Sequence, residues 1–282
     1  MYNAEHYPDP TAGQALKSLL RYPGAKWRLA DWIVKHMPAH KIYLEPFFGS
    51  GAVFFNKHPC NTEIINDLDG DVVNLFKCMR DYPSELANLI NLTPYSQAEY
   101  EKSYDRAGCS ELEQARRFII RCNMARGGML KYSSSWRHCG LIKSLKCWQG
   151  VTRQWNKLPK SIMIAAARLK NAEIACQNAI DLIKKYNHQD CLIYADPPYL
   201  LNTRKQRYYQ VEMDTVNQHT ELLEVLQQHK GPVLLSGYDS ELYNTLLADW
   251  QRVQIRTTAE KGLPRTEVLW IKDNSNDLRL FD

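Results

Sequence analysis

Apolar residues follow two rhythms along this chain. Short solid runs recur at Lys41-Ile42-Tyr43-Leu44, Thr62-Glu63-Ile64-Ile65-Asn66, Glu173-Ile174-Ala175-Cys176, Cys191-Leu192-Ile193-Tyr194-Ala195 and Val233-Leu234-Leu235-Ser236. Runs of this length predict buried strands. Arg252 to Thr257 and Val268 to Ile271, joined across Glu260 to Arg265, predict a terminal antiparallel hairpin. Between the runs the spacing is helical: Arg28 to His36, a helix beginning at Ala52-Val53-Phe54-Phe55-Asn56, and Asp71 to Arg80. Pro83 to Ala107 is also helical, with breakers at Pro94 and Gly108. Leu112, Ala115, Phe118, Ile119 and Cys122 form an apolar stripe, with Arg117 and Arg121 on another face. Arg126-Gly127-Gly128-Met129 ends that helix, and Lys131 to Lys146 is loop-like.

Strands alternating with helices predict an α/β protein with a mostly parallel sheet. The hairpin adds a C-terminal antiparallel strand. A helical lobe is inserted ahead of the third strand. The sheet domain is expected to comprise residues 1–85 and 171–282, and the inserted lobe 86–170.

Charge sharpens this division. The 282 residues carry a formal net charge of +5. From Arg116 to Lys170 there are 13 Lys or Arg and no Asp or Glu, so the rest of the chain is net acidic. Solvated helix faces normally interleave both signs. An acid-free basic stretch that also holds Tyr132, Trp136, Trp148 and Trp155 reads as a nucleic-acid footprint. Within it Arg121, Asn123, Arg126, Lys131, Tyr132 and Arg137 are the candidate nucleic-acid contacts. Arg and Asn suit two-point readout of guanine and adenine.

The candidate chemistry lies at strand ends. After Cys191–Ala195 comes Asp196-Pro197-Pro198-Tyr199. Asp196 can accept one N–H of a planar amine and the Pro197 carbonyl a second. Two prolines fix φ and remove two backbone donors, which stiffens those acceptors. Tyr199 offers a face for a flat heterocycle. Asp196, Pro197, Pro198 and Tyr199 are therefore the candidate catalytic residues.

After Lys41–Leu44 comes Glu45-Pro46-Phe47-Phe48-Gly49-Ser50-Gly51. Glycines let a backbone approach a ligand closely. The dinucleotide fingerprint needs a third glycine where Phe54 stands, and no Gly-Lys-Ser/Thr of a phosphate loop is present. Asp67 ends the next strand, where a carboxylate suits ribose hydroxyls. An adenosine ligand gripped without a phosphate points to S-adenosylmethionine. Near the N-terminus, Lys26 follows a Pro23-Gly24 turn and could fold over a cofactor carboxylate or DNA.

Four blocks occur together in one order: Arg21-Tyr22-Pro23-Gly24-Ala25-Lys26, Glu45 to Gly51, Asn66-Asp67-Leu68, and Asp196 to Tyr199. In this the chain resembles the Dam-like DNA adenine methyltransferases. His219 to Leu223, Val233 to Asp239 and Thr266 to Trp270 resemble that family's later helix and strands. The resemblance implies a Rossmann-like class I methyltransferase sheet, S-adenosylmethionine as cofactor and an inserted target-recognition lobe. It also implies that Tyr22, Lys26, Asp67 and Asp196 contact the cofactor, with Glu45, Pro46, Phe47, Gly49 and Gly51 forming its turn. Asp196 to Tyr199 would hold the adenine as well. Tyr22 stands where some members carry Trp, and Ala25 where Gly is common. Gln177-Asn178-Ala179 replaces an acidic residue followed by an aromatic, so the cofactor's adenine ring is expected to be held differently.

The expected reaction is site-specific methyl transfer to the N6 amine of an adenine flipped out of duplex DNA. Cytosine N4, RNA or protein glutamine as acceptor, and a catalytically silent DNA-binding relative, are the alternatives. The apolar runs are too short to cross a membrane. No secretory leader pattern is visible, so a cytoplasmic, monomeric protein with reduced cysteines is expected, a dimer being the alternative. His188-x-x-Cys191 and His138-Cys139 lack a second pair, so no metal is expected.

Overall fold

A computed structural model describes residues 16, 19–126, 135–138, 150–203, 207–258 and 264–273. Two compact units emerge. One comprises Met1–Trp27, Gly49–Asn56 and Gly70–Asn171; the other comprises Arg28–Phe48, Lys57–Asp69 and Ala172–Asp282.

The second unit is a seven-stranded sheet. Its strands are β1 (Ile42–Glu45), β2 (Thr62–Asn66), β3 (Ala172–Ala175), β4 (Cys191–Ala195), β5 (Val233–Gly237), β6 (Gln251–Thr258) and β7 (Pro264–Lys272), in the order β3-β2-β1-β4-β5-β7-β6. β3, β2, β1, β4 and β5 pair in parallel; β7 is antiparallel to both β5 and β6. This is the mostly parallel sheet with a reversed C-terminal strand that the apolar runs and the terminal hairpin predict. β1 carries β2 on one side and β4 on the other, so the strand order reverses between β1 and β4. In open α/β sheets ligands bind outside the carboxyl ends of strands at such a reversal.

The solid apolar runs reflect burial on both faces. All five residues of β4 and all five of β5 are buried. One face packs Leu44, Ile64, Ile193, Leu235 and Trp270 against Leu182 and Ile183 of α8 (Ala179–Lys185) and Leu222, Leu223 and Leu226 of α9 (Val216–Gln228), with Tyr243 of α10 (Glu241–Leu246). Buried Cys191 belongs to this core, and its thiol is pushed up to about 12, first by desolvation. It is a packing residue, not a nucleophile. Among the described cysteines, Cys78, Cys122 and Cys191 are buried, Cys60 and Cys109 are half-exposed and Cys176 is exposed.

The first unit holds α2 (Gly70–Asp81), α3 (Pro83–Leu92), α4 (Gln97–Lys102), α5 (Glu111–Met124), α6 (Gly150–Trp155) and α7 (Leu158–Leu169). α7 packs on α2 and α3, and α5 on α2. The remaining helix, α1, is the short Ala30–Val34. The helix expected from Ala52 is absent: 52–56 is a succession of turns, with the Phe55 N–H bonded to the Gly51 carbonyl at 3.0 Å and the Asn56 N–H to that of Val53 at 3.1 Å. Ala52, Val53, Phe54 and Phe55 are all buried. A regular helix turns about 100° per residue and presents only part of its circumference to a core.

Arg116 ties the helical unit together. It donates to Glu113 at 2.7 and 2.8 Å, to Glu99 at 2.8 Å and to the Thr93 hydroxyl at 3.0 Å. The Arg116 and Arg117 guanidiniums hold the Glu113 carboxyl down at about 2. Because the folded value is depressed, this stabilisation is present above the ordinary Glu pKa and lost as pH falls towards about 2. Urea midpoints measured from pH 5 to 2.5 should therefore fall more steeply for the wild type than for Glu113→Gln. Parallel curves would contradict it.

Candidate active site at the carboxyl ends of three adjacent strands

β1, β2 and β4 end side by side, and each delivers a carboxylate: Glu45 within β1, Asp67 just past β2 and Asp196 just past β4. Glu45 is buried, and its Oε2 accepts from the Tyr43 hydroxyl at 2.7 Å. Lys57 places its ammonium 4.4 Å from the Tyr43 ring centroid and 2.6 Å from Glu63 Oε1. Asp67 Oδ1 accepts from the Asp69 N–H at 2.9 Å, which turns the chain sharply after β2.

Asn66 binds the loops of this edge to one another. Its Nδ2 donates to the Pro46 and Gln177 carbonyls, each at 3.0 Å, and its Oδ1 accepts from the Gln177 N–H at 3.0 Å. The Phe48 N–H donates to the Asn66 carbonyl at 2.9 Å. The turns after β1, β2 and β3 are thus fixed by one buried amide. Its role was not read from the sequence, where an Asn before Asp67 carries no geometric signal. Asn178, in the departing Gln177-Asn178-Ala179 stretch, caps α8 by accepting from the Ile180 and Asp181 N–H groups.

Beyond β4, Pro197 is buried while Asp196, Pro198 and Tyr199 are half-buried. The Tyr199 hydroxyl donates to Glu267 Oε2 at 2.9 Å. Burial, then the charges of Asp196 and Glu267, push this hydroxyl well above the ordinary tyrosine value, so it stays a proton donor. The Asp196 charge also raises Tyr194, after burial; the Tyr194 hydroxyl lies 3.0 Å from that of Ser236. In the loop that follows, the Tyr208 and Tyr209 N–H groups both bind Glu212 Oε1, and Arg207 pairs with Asp214 at 2.6 Å. Arg204 and Lys205 lie outside the described residues.

The remaining sequence candidates for cofactor contact belong to the helical unit. Gly24 has φ +71° in the turn from Tyr22 to Ala25, closed by the Ala25 N–H to the Tyr22 carbonyl at 3.2 Å. Lys26 is buried, and its ammonium donates to the Gly24 carbonyl at 3.0 Å. Gly49 and Gly51 have φ of +49° and +66°. A Cβ on Gly49 would come within 3.2 Å of the Tyr22 ring, so this glycine is needed both for its conformation and for the close approach. The three carboxylates on the sheet edge suit a cationic ligand.

The candidate DNA contacts divide. Arg126 is exposed; Asn123 and Arg137 are half-exposed. Arg137 is anchored through its main chain, its N–H bonded to the Met124 carbonyl at 2.7 Å and its carbonyl accepting from the Tyr95 hydroxyl at 2.6 Å. Arg121 is instead buried: its guanidinium donates to Asp71 Oδ2 at 3.2 Å and to the Ser103 carbonyl. It joins α5 to the start of α2, and its guanidinium is committed inside the unit rather than presented to DNA. Lys131 and Tyr132 lie outside the described residues.

The chain belongs to the D12 class N6 adenine-specific DNA methyltransferases, whose family model matches residues 22–260. It is 25% identical over 239 residues to the DNA adenine methylase of Escherichia coli strain K12, covering 80% of this chain and 82% of that one. It is 25% identical over 280 residues to the Type II methyltransferase M1.LlaDCHI of Lactococcus lactis subsp. cremoris, covering 88% and 90%. The DNA adenine methylase of Haemophilus influenzae is also 25% identical, over 266 residues, with 87% and 88% covered. The enzyme is therefore an adenine-specific DNA methyltransferase, and S-adenosylmethionine is its methyl donor. Among the described residues no helix is long and apolar enough to cross a membrane.

Asn66→Ala removes three hydrogen bonds and orphans the buried Pro46 carbonyl, at a cost of about 1–3 kcal/mol, while the exposed Gln177 groups turn to water. The expected result is a lower urea midpoint together with weaker S-adenosylmethionine binding by calorimetry. A variant with unchanged stability and affinity would show that the loops do not depend on it.

Proposed function

We propose that this enzyme transfers the methyl group of S-adenosylmethionine to the exocyclic N6 amine of an adenine flipped out of duplex DNA, at a specific sequence. The observation that carries the reading is the placement of Asp196-Pro197-Pro198-Tyr199 at the reversal of strand order, beside the ends of β1 and β2.

S-adenosylmethionine supplies an electrophilic methyl on a sulfonium sulfur. Glu45, Pro46, Phe47 and Asp67 of the sheet unit hold it, Asp67 through the ribose. Tyr22, Lys26, Gly49 and Gly51 of the helical unit complete the set on the strength of the resemblance. The target amine is a poor nucleophile because its lone pair is delocalised into the ring. Asp196 accepts a hydrogen bond from one amine N–H and the Pro197 carbonyl from the other, which favours a tetrahedral nitrogen with its lone pair turned to the methyl. Asp196 need not be a strong base, since the amine proton becomes acidic as the methyl arrives. Alignment of this kind lowers barriers by roughly 7–11 kcal/mol in favourable cases. Flipping the base costs a few kcal/mol. Stacking on Tyr199 offsets about 1–3 kcal/mol of that.

Residues 86–170 form the recognition lobe, in which Asn123, Arg126 and Arg137 meet the DNA, with Lys131 and Tyr132 proposed from the sequence. The exposed cations Arg153, Lys157 and Lys160 serve the backbone, since phosphate contacts position a protein without reading sequence.

Asp196→Ala should reduce methyl transfer to duplex DNA far more than tenfold while duplex affinity, measured by fluorescence anisotropy, stays near wild type. Activity within about tenfold of wild type, a barrier change of only about 1.4 kcal/mol, would remove Asp196 from the proposed role.

A further inference from the structure

β7 runs against β5 and β6, so it meets the carboxyl edge of the sheet with its entry end. The register pairs Gly237 with Val268. One step further along each strand, Tyr238 and Glu267 stand just past the end of β5. The Tyr238 and Tyr199 rings meet edge to face, with centroids 4.5 Å apart and planes at 73°. Arg265 in turn donates to the Tyr238 hydroxyl at 2.5 Å. Glu267 is buried, 9% exposed, in a strand that is otherwise apolar from Val268 to Ile271. A buried carboxylate costs stability unless hydrogen bonds offset its desolvation. Simple packing at this point would be served better by a leucine.

The two prolines stiffen the backbone before Tyr199, yet they do not set the ring, because its second torsion is soft. The Glu267 hydrogen bond holds the ring at its hydroxyl end, and Tyr238 blocks rotation from one side. We propose that Glu267 is a positioning residue for methyl transfer: through the Tyr199 hydroxyl it fixes the plane on which the target adenine stacks. Glu267 does not touch the reacting atoms. A ring free to tilt leaves Asp196 in place but lets the amine drift out of line with the methyl. The loss therefore falls on turnover rather than on binding. This inference rests on the proposed reading of Asp196 to Tyr199 as the adenine site.

The test is a mutant cycle on the whole enzyme: wild type, Glu267→Ala, Glu267→Gln, Tyr199→Phe and the Glu267→Ala/Tyr199→Phe double variant. Tritium transfer from labelled S-adenosylmethionine to unmethylated genomic duplex gives kcat and the KM for DNA; calorimetry gives cofactor affinity. Glu267→Ala and Tyr199→Phe should each lower kcat about tenfold or more, with KM and cofactor affinity within about twofold of wild type. The double variant should be no slower than the slower single one. Glu267→Gln keeps an acceptor oxygen and should remain within about threefold of wild type. Tyr199→Phe at wild-type kcat overturns the proposal even if Glu267→Ala fails to fold. So does a double variant whose loss equals the product of the single losses. A wild type that transfers no methyl to DNA refutes the functional reading itself and the inference with it. An active wild type with unchanged single variants refutes the inference alone.

Discussion

A parallel strand buried on both faces has no room for working polar groups along its length. Its side chains pack against helices, and its backbone groups are taken by the ladder. Chemistry is therefore confined to the strand ends, and here it gathers where the strand order reverses, at β1, β2 and β4. Each of these strands hands over a carboxylate as it leaves the sheet. Asn66 then fixes the loops after β1, β2 and β3 relative to one another, so three chain segments distant in sequence share one geometry. The carboxylates and the proline-stiffened acceptors owe their position to this arrangement.

The helical unit obeys a different constraint. Its basic stretch is free of acids in sequence but not in space. Arg116 and Arg117 are paired with Glu113, Arg116 also with Glu99, and Arg121 with Asp71. Arg168 is buried with its guanidinium 3.9 Å from the Phe54 ring centroid. All the acids in these pairs precede the stretch along the chain. Four of its cations therefore build the unit, and Arg126, Arg153, Lys157 and Lys160 are among those left at the surface.

Much of this was legible in the sequence because parallel strands write themselves as solid apolar runs. β2 and β4 have the predicted bounds, and the terminal hairpin pairs as expected. The blocks at the ends of β1, β2 and β4 were equally visible, since a proline pair, a glycine turn and a carboxylate after a strand have few other uses in combination. β7 extends well before Val268 because its entry end carries Arg265 and Glu267, which no apolar pattern marks. α6, α8 and α10 were not read because six or seven residues give too few turns for a period to show. The 52–56 segment misled because a run of buried residues looks like a helix start until its neighbours are known. Contacts between distant segments, such as those of Asn66 and Glu267, have no local signature at all.

The central claim is that these strand-end groups act together on the amine of adenine in DNA. The most direct measurement incubates the enzyme with tritiated S-adenosylmethionine and, separately, unmethylated genomic duplex DNA, total RNA and protein. The labelled DNA is then hydrolysed and its nucleosides are separated. The account predicts label in duplex DNA, recovered as N6-methyladenine. Label recovered as N4-methylcytosine, or transferred to RNA or protein in place of DNA, would contradict it.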